Sequence, residues 1–123
     1  MTPPGLPPVV SVIMPAFNVA RYVRDAIDSV LAQRFKAFEL LVADDGSTDG
    51  TAAIVQSYAG RPNVRVFHNA TNLGAAGTRN HLLREARGRY VTPCDADDLL
   101  LPGNLRRLSE FLDAHPDVGV VYA

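Results

Sequence analysis

Apolar residues along this chain fall into short continuous runs that alternate with stretches of helical period. Val9 to Met14 (VVSVIM) is β-branched and closed by Pro15, the pattern of a buried strand. Beyond it Val23, Ala26, Ile27, Val30 and Leu31 recur at i, i+3, i+4, i+7 and i+8, one apolar helical stripe. Arg21, Arg24, Asp25 and Asp28 take the opposite face, and Asn18 is placed to cap the helix. Phe38 to Ala43 predicts a second strand that ends abruptly in Asp44-Asp45-Gly46. Ser47 or Asp49 can cap a second helix bearing Ile54, Val55 and Tyr58, which Gly60 and Pro62 stop.

Val64 to His68 alternates with period two and predicts a third strand. A loop from Asn69 to about Gly77 leads to a third helix with Leu82, Leu83 and Ala86 inward and Gly88 at its end. Tyr90 to Cys94 predicts a fourth strand, running into Asp95-Ala96-Asp97-Asp98. Pro102 suits the first turn of a fourth helix striped by Leu105, Leu108, Phe111 and Leu112. Val118 to Tyr122 is a fifth apolar run, free for a sheet-edge or dimer contact. The β-α-β-α-β-α-β-α-β order implies an α/β fold: a Rossmann-like, doubly wound, mainly parallel sheet in three α/β/α layers. Residues 9–123 form one domain, preceded by a flexible Pro-rich leader over residues 1–8.

Composition narrows the function classes. The chain has 123 residues and 13.3 kDa, with 12 Lys+Arg against 13 Asp+Glu for a net charge of -1. That length holds one domain, and the balance gives no footprint for nucleic acid. Cys94 is the only cysteine, so neither an intramolecular disulfide nor a cysteine zinc cluster is available. No apolar stretch is long enough for a transmembrane helix, and residues 1–8 lack a signal peptide's charge. A cytoplasmic location is expected, free or peripheral to the inner face of a membrane. Lys36 is the one lysine and lies in a predicted loop.

In open α/β sheets, ligands bind beyond the carboxyl ends of the strands. Those ends carry Pro15-Ala16-Phe17-Asn18, Asp44-Asp45 and Asp95-Ala96-Asp97-Asp98. Five carboxylates thus share one rim, where two charges about 4 Å apart repel by roughly 4 kcal/mol at an effective dielectric of 20. A hard divalent cation, Mn²⁺ or Mg²⁺, would relieve that repulsion and bridge to phosphate oxygens. Asp95 and Asp97, two residues apart on an extended segment, would point the same way. Asp44-Asp45 also suits a plain cap cluster at a helix N-terminus. Phe17 is either a core ring or a stacking face for a planar base. Arg79 is either a surface ion-pair partner or a phosphate and base contact. His68, His81 and His115 lack metal-ligand spacing, and Cys94 reads as a small buried hydrophobe.

These residues carry a resemblance. Val9–Asn18, Ser29–Gln33, Phe38–Asp49, Asn72–Asn80 and Tyr90–Asp98 resemble, in order and spacing, the N-terminal half of a family 2 glycosyltransferase of GT-A fold. The resemblance implies an inverting, metal-dependent transfer from a nucleotide-diphosphate sugar, by family habit a UDP-sugar, to a glycan, lipid or other hydroxyl acceptor. It implies that Pro15, Ala16, Phe17 and Asn18 line the nucleotide pocket, with Asp44 and Gly74 beside it. It implies that Asp45 accepts a base N–H and Arg79 approaches base or phosphates. Asp95-Ala96-Asp97 would be the DxD-type motif, with Asp97 the main metal ligand, Asp95 a second, and Asp95 and Ala96 facing the sugar-nucleotide. Gly77-Thr78 before Arg79-Asn80, and Thr92-Pro93-Cys94 before the DxD, depart from the family pattern, and Pro93 predicts an irregular strand end.

The general base of such enzymes follows the part seen here, so the chain is expected to be a donor-binding portion with its base beyond Ala123. A non-catalytic nucleotide-sugar-binding module fits the same residues. A sugar nucleotidylyltransferase is disfavoured because its glycine-rich signature would follow the first strand, not the third. A signalling receiver domain is disfavoured because the first strand ends without acid and no lysine follows the fifth.

Overall fold

The computed structural model describes residues 7–121. Four strands form one wholly parallel sheet: β1 (Val10–Ala16), β2 (Phe38–Asp44), β3 (Val64–His68) and β4 (Tyr90–Pro93). Their order is β3-β2-β1-β4, so the chain steps outward from β1 to β3 and then crosses back. The crossing leaves a topological switch between β1 and β4, where such folds open a crevice. Every residue of β2 is buried, as expected of a strand covered on both faces.

Alternation along the strands sorts the core into two layers. Val10, Val12, Met14, Leu40 and Val42 face α1 (Val23–Leu31), α2 (Thr51–Gln56) and α4 (Asn104–Ala114). Ile13, Leu41 and Ala43 face α3 (Gly74–Glu85) through Leu82. The three layers match the expected fold class. At the amino end of the α3 face a polar knot replaces apolar packing. Buried Glu39 accepts the Ser11 hydroxyl at 2.6 Å and the Arg87 N–H at 2.7 Å, and pairs with Arg65 at 3.3 Å. Gly88 completes the knot by donating its N–H to Ser11 Oγ at 2.7 Å. A Cβ there would sit 2.6 Å from the Ser11 nitrogen, so Gly88 serves close approach to β1 and not a helix cap.

Several local expectations are corrected. Asn18 does not cap α1, whose N-cap is Tyr22; Asn18 sits at φ 50° and its Oδ1 accepts the Thr48 N–H at 2.9 Å. Gly50 is the N-cap of α2, and Asp49 instead accepts the first-turn Thr51 N–H at 2.9 Å. The loop expected to reach about Gly77 is shorter: α3 begins at Gly74, so Arg79 and Asn80 lie well inside the helix. Leu83 points outward at 45% exposure, and Phe111 is 40% exposed on the α4 flank. Pro102 lies in the turn before α4, whose N-cap is Gly103 at φ 79°. Residues 118–121 form no strand; Val120 is 79% exposed, and the ends of the leader (residues 1–6) and of this run (residues 122–123) lie outside the described residues. Pro93 brings no irregularity: its strand pairs with β1 on one side only, and the next N–H, from Cys94, still reaches Ile13 O at 3.0 Å.

Candidate functional site

The carboxyl ends of β1, β2 and β4 share one rim, as the parallel sheet requires. β1 lies between the other two, so the acidic ends of β2 and β4 are two strand spacings apart, about 10 Å. The five acids therefore split into two groups and do not gather about one point.

The first group belongs to β2. Asp44 is buried; its Oδ1 accepts the Ser47 N–H at 3.2 Å and its Oδ2 lies 3.8 Å from His68 Nδ1. Asp45 is buried too and turns toward α3. Its Oδ1 accepts the Leu73 N–H at 2.7 Å and the Asn69 amide at 2.9 Å. Leu73 is the N-cap of α3, so Asp45 caps that helix from the neighbouring strand. Gly46, at φ 72°, lets the two loops close: a Cβ there would meet the Asn72 backbone at 3.0 Å. Burial pushes the Asp45 carboxyl up. The bonds from Leu73, Asn69, Thr78 and Gly74 outweigh it and hold the group below the usual carboxylate range.

Beside Asp45 opens a cleft of about 360 Å³ lined by Pro15, Ala16, Phe17, Asn72, Gly74 and Ala75. Phe17 is 47% exposed, which removes its reading as a core ring. Asn18 and Asp44 do not line the cleft and serve instead to tie loops together. Arg79 follows Ala75 by one helical turn, on the same face of α3, and forms no ion pair among the described residues.

The second group belongs to β4. Asp95, Asp97 and Asp98 are exposed, and each offers a carboxylate oxygen within 4.8 Å of the others. A turn closed by the Asp98 N–H on Asp95 O at 3.0 Å gathers them, not an extended segment. Asp98, absent from the expected ligand pair, joins it for that reason. Ala96 is buried and anchors the turn from below. Three hard oxygens at this spacing suit one divalent cation. A hollow of about 260 Å³ lies alongside, bounded by Asp95, Asp98, Leu99 and Leu100.

Ser29 of α1 and Gln33 just beyond its C-terminal end hold the chain after this turn. Ser29 Oγ accepts the Leu100 N–H at 2.9 Å. Buried Gln33 donates to Leu101 O at 2.9 Å and accepts the Leu105 N–H at 3.4 Å. The Ser29–Gln33 segment is therefore a brace for the acidic turn. Cys94 is buried just before it. Burial first, then the charges of Asp98 and Asp95, push its thiol up to about 11. At neutral pH roughly one such thiol in ten thousand is ionised. A disulfide reagent at pH 7 is expected to label native Cys94 at least about tenfold more slowly than the urea-unfolded chain; equal rates would contradict the burial.

Residues 11–123 match glycosyl transferase family 2. EpsE of Bacillus subtilis, named as a glycosyltransferase, is 40% identical over 116 residues, which is 93% of this chain and 42% of that protein. The poly(ribitol-phosphate) beta-N-acetylglucosaminyltransferase TarS of Staphylococcus aureus is 37% identical over 108 residues, 85% of this chain and 19% of TarS. The crystal structure of S. aureus TarS 1–349 in complex with UDP-GlcNAc superposes with a TM-score of 0.80 at 35% identity, covering 87% of this chain and 32% of that one. The mannosyltransferase PcManGT of Pyrobaculum calidifontis, in complex with GDP-Man and Mn²⁺, superposes at 0.82 with 32% identity, covering 94% and 35%. The chain thus spans less than half the length of these relatives. No described helix is long and apolar enough to cross a membrane. On the match over residues 11–123 and these likenesses, the chain belongs to glycosyl transferase family 2.

Proposed function

We propose that this chain is the donor-binding part of an inverting, metal-dependent glycosyltransferase that takes its sugar from a nucleotide-diphosphate sugar, with UDP favoured. The observation that carries this reading is the spacing of two unlike sites on one rim. A cleft with an acceptor carboxylate at the end of β2 and an exposed ring beyond β1 shares the rim with a triad of metal-type oxygens beyond β4, the ends of β2 and β4 being two strand spacings, about 10 Å, apart. A nucleoside and its diphosphate have the same order of features: a planar base at one end, and at the other a charge that needs neutralising.

The residues have distinct tasks. The Phe17 ring stacks on the base and Asp45 accepts its N–H. Arg79, on the cleft face of α3, meets the phosphates or the base edge. Asp95, Asp97 and Asp98 hold a divalent cation, Mn²⁺ or Mg²⁺. That cation, when bound, acts as a Lewis acid on the diphosphate leaving group. Gln33 and Ser29 keep the triad loop in place. None of these carboxylates is free to deprotonate an acceptor hydroxyl, so the base belongs to the part of the longer relatives that this chain does not span. The acceptor, a glycan, lipid or other hydroxyl, is met there as well. PcManGT with its Mn²⁺ and the UDP-GlcNAc complex of TarS support the donor and metal classes.

Calorimetric titration of UDP tests the reading. Saturable heat is expected with Mn²⁺ present and much weaker heat without it; no heat in either case would overturn the assignment. Phe17→Ala is expected to weaken UDP binding by about tenfold, the loss of one base–aromatic stack. Its thermal stability should shift little, because the ring is half exposed. A large loss of stability with intact binding would return Phe17 to the core.

A further inference from the structure

We infer that Asn69 sets which nucleobase the cleft accepts, by leaving Asp45 a single free carboxylate oxygen. This rests on the nucleotide reading of the same cleft and extends it to the class of base. An ionised carboxylate offers about two acceptor positions on each oxygen. On Asp45, Oδ1 takes the Leu73 N–H at 2.7 Å and the Asn69 amide at 2.9 Å, which fill it. Oδ2 accepts no hydrogen bond within 3.5 Å among the described residues; Thr78 and the Gly74 N–H approach the carboxylate only more loosely, and Asp45 lines the cleft.

Asn69 cannot swing away to release Oδ1. Its Nδ2 also donates to Thr78 Oγ1 at 3.1 Å, and its backbone N–H donates to Asp44 O at 2.8 Å. Thr78 is buried in the second turn of α3, and Leu73 is fixed as that helix's N-cap. Both donors to Oδ1 are thus part of the frame.

The remaining oxygen discriminates among bases. Guanine presents N1–H and N2–H side by side, a pair that a carboxylate meets with both oxygens. Uracil and thymine present one N3–H between two carbonyls, which needs one oxygen. Cytosine has no proton on N3 and offers no donor there. With Oδ1 filled, Asp45 matches the single N–H of uracil or thymine. Asn69 does not touch the base; it is a positioning residue that acts through Asp45. The same bonds keep Asp45 ionised, so that Oδ2 stays an acceptor and never becomes a donor.

The test is competition binding to the 123-residue chain in Mn²⁺, using UDP, GDP, CDP and 3-methyl-UDP. The wild type is expected to bind UDP at least about tenfold more tightly than the other three, one charge-assisted hydrogen bond's worth. Asn69→Leu and Asn69→Ser both remove the second donor to Oδ1. In each, the preference for UDP over GDP is expected to shrink at least about fivefold. The pH below which UDP binding fails is expected to move up, which a merely structural role would not produce. If both variants fold and keep the wild-type ratio, the role of Asn69 is overturned and the nucleotide site stands. If the wild type binds GDP or 3-methyl-UDP as tightly as UDP, the single-oxygen account is overturned with no variant needed. If the wild type binds none of the four, the nucleotide reading fails, and this inference with it.

Discussion

Glu39→Ala is expected to lower the free energy of unfolding by about 3 kcal/mol, the low end for removing one partner of a buried ion pair. Glu39 is 6% exposed and serves three donors: the Ser11 hydroxyl, the Arg87 N–H and the Arg65 guanidinium. Its removal leaves the Arg87 N–H and the Ser11 hydroxyl without their acceptor in a site that water enters poorly. Arg65 suffers least, since its side chain is 26% exposed and keeps Glu85 at 3.7 Å. That is why the low end of the range applies. The knot joins β1, β2, β3 and the connection from α3 to β4, so its loss loosens the start of β4 and, through it, the acidic turn. Glu39→Gln retains an acceptor for one donor and is expected to cost less than half as much. Urea unfolding followed by circular dichroism measures both. A change below about 1 kcal/mol for Glu39→Ala would mean that the knot contributes nothing beyond a typical surface pair.

Asp97→Ala is expected to weaken Mn²⁺ binding about a hundredfold or more. Losing a group that only orients a metal ligand already costs 10–100-fold, and Asp97 is assigned as a ligand itself. The sign of the stability change separates this role from a structural one. Asp95, Asp97 and Asp98 are exposed like charges within 4.8 Å, so the metal-free chain should gain from losing one. The gain is of order 1 kcal/mol, the repulsion of two charges at about 4 Å in water. Mn²⁺ binding followed by electron paramagnetic resonance, alongside a melting curve without metal, gives both quantities. Unchanged Mn²⁺ affinity would remove Asp97 from the metal site. A lower melting temperature without metal would make the triad part of the fold. Asp95→Ala and Asp98→Ala should act in the same direction, because the turn brings all three together.

The four strands were legible because continuous apolar runs admit few other readings, and β2 is buried along its whole length as such a run demands. Helix boundaries were less legible where the cap comes from elsewhere in the chain. Gly74 and Gly77 look like loop residues, yet α3 begins at Gly74 because Asp45 and the Asn72 side chain take its first N–H groups. Asn18 looks like a cap in sequence, but its positive φ turns the side chain onto Thr48, across the rim. The apolar run from Val118 lacks a strand because residues 118–121 find no ladder partner beside β4.

The rim's acids were legible as a set, since strand ends can be read from where apolar runs stop. Their division into a buried pair that ties loops together and an exposed, closely spaced triad was not, because it depends on β1 standing between β2 and β4. Asp98 was missed because alternation in an extended segment excludes it, whereas a turn includes it. Asn69 and Thr78 were missed for a different reason. Nothing in their spacing marks them, although a short amide directly after one strand end, next to an acidic strand end, is a usable signal for a carboxylate being held in place.

The central claim is that the Phe17–Asp45 cleft and the Asp95–Asp98 turn form one site bridged by a nucleoside diphosphate and its cation. Paramagnetic broadening of backbone amide signals by substoichiometric Mn²⁺, with UDP present, tests it most directly. Broadening is predicted to centre on residues 94–98 and, only when UDP is added, to extend to Phe17 and Gly74. Broadening centred elsewhere, or a pattern that UDP leaves unchanged, would contradict it.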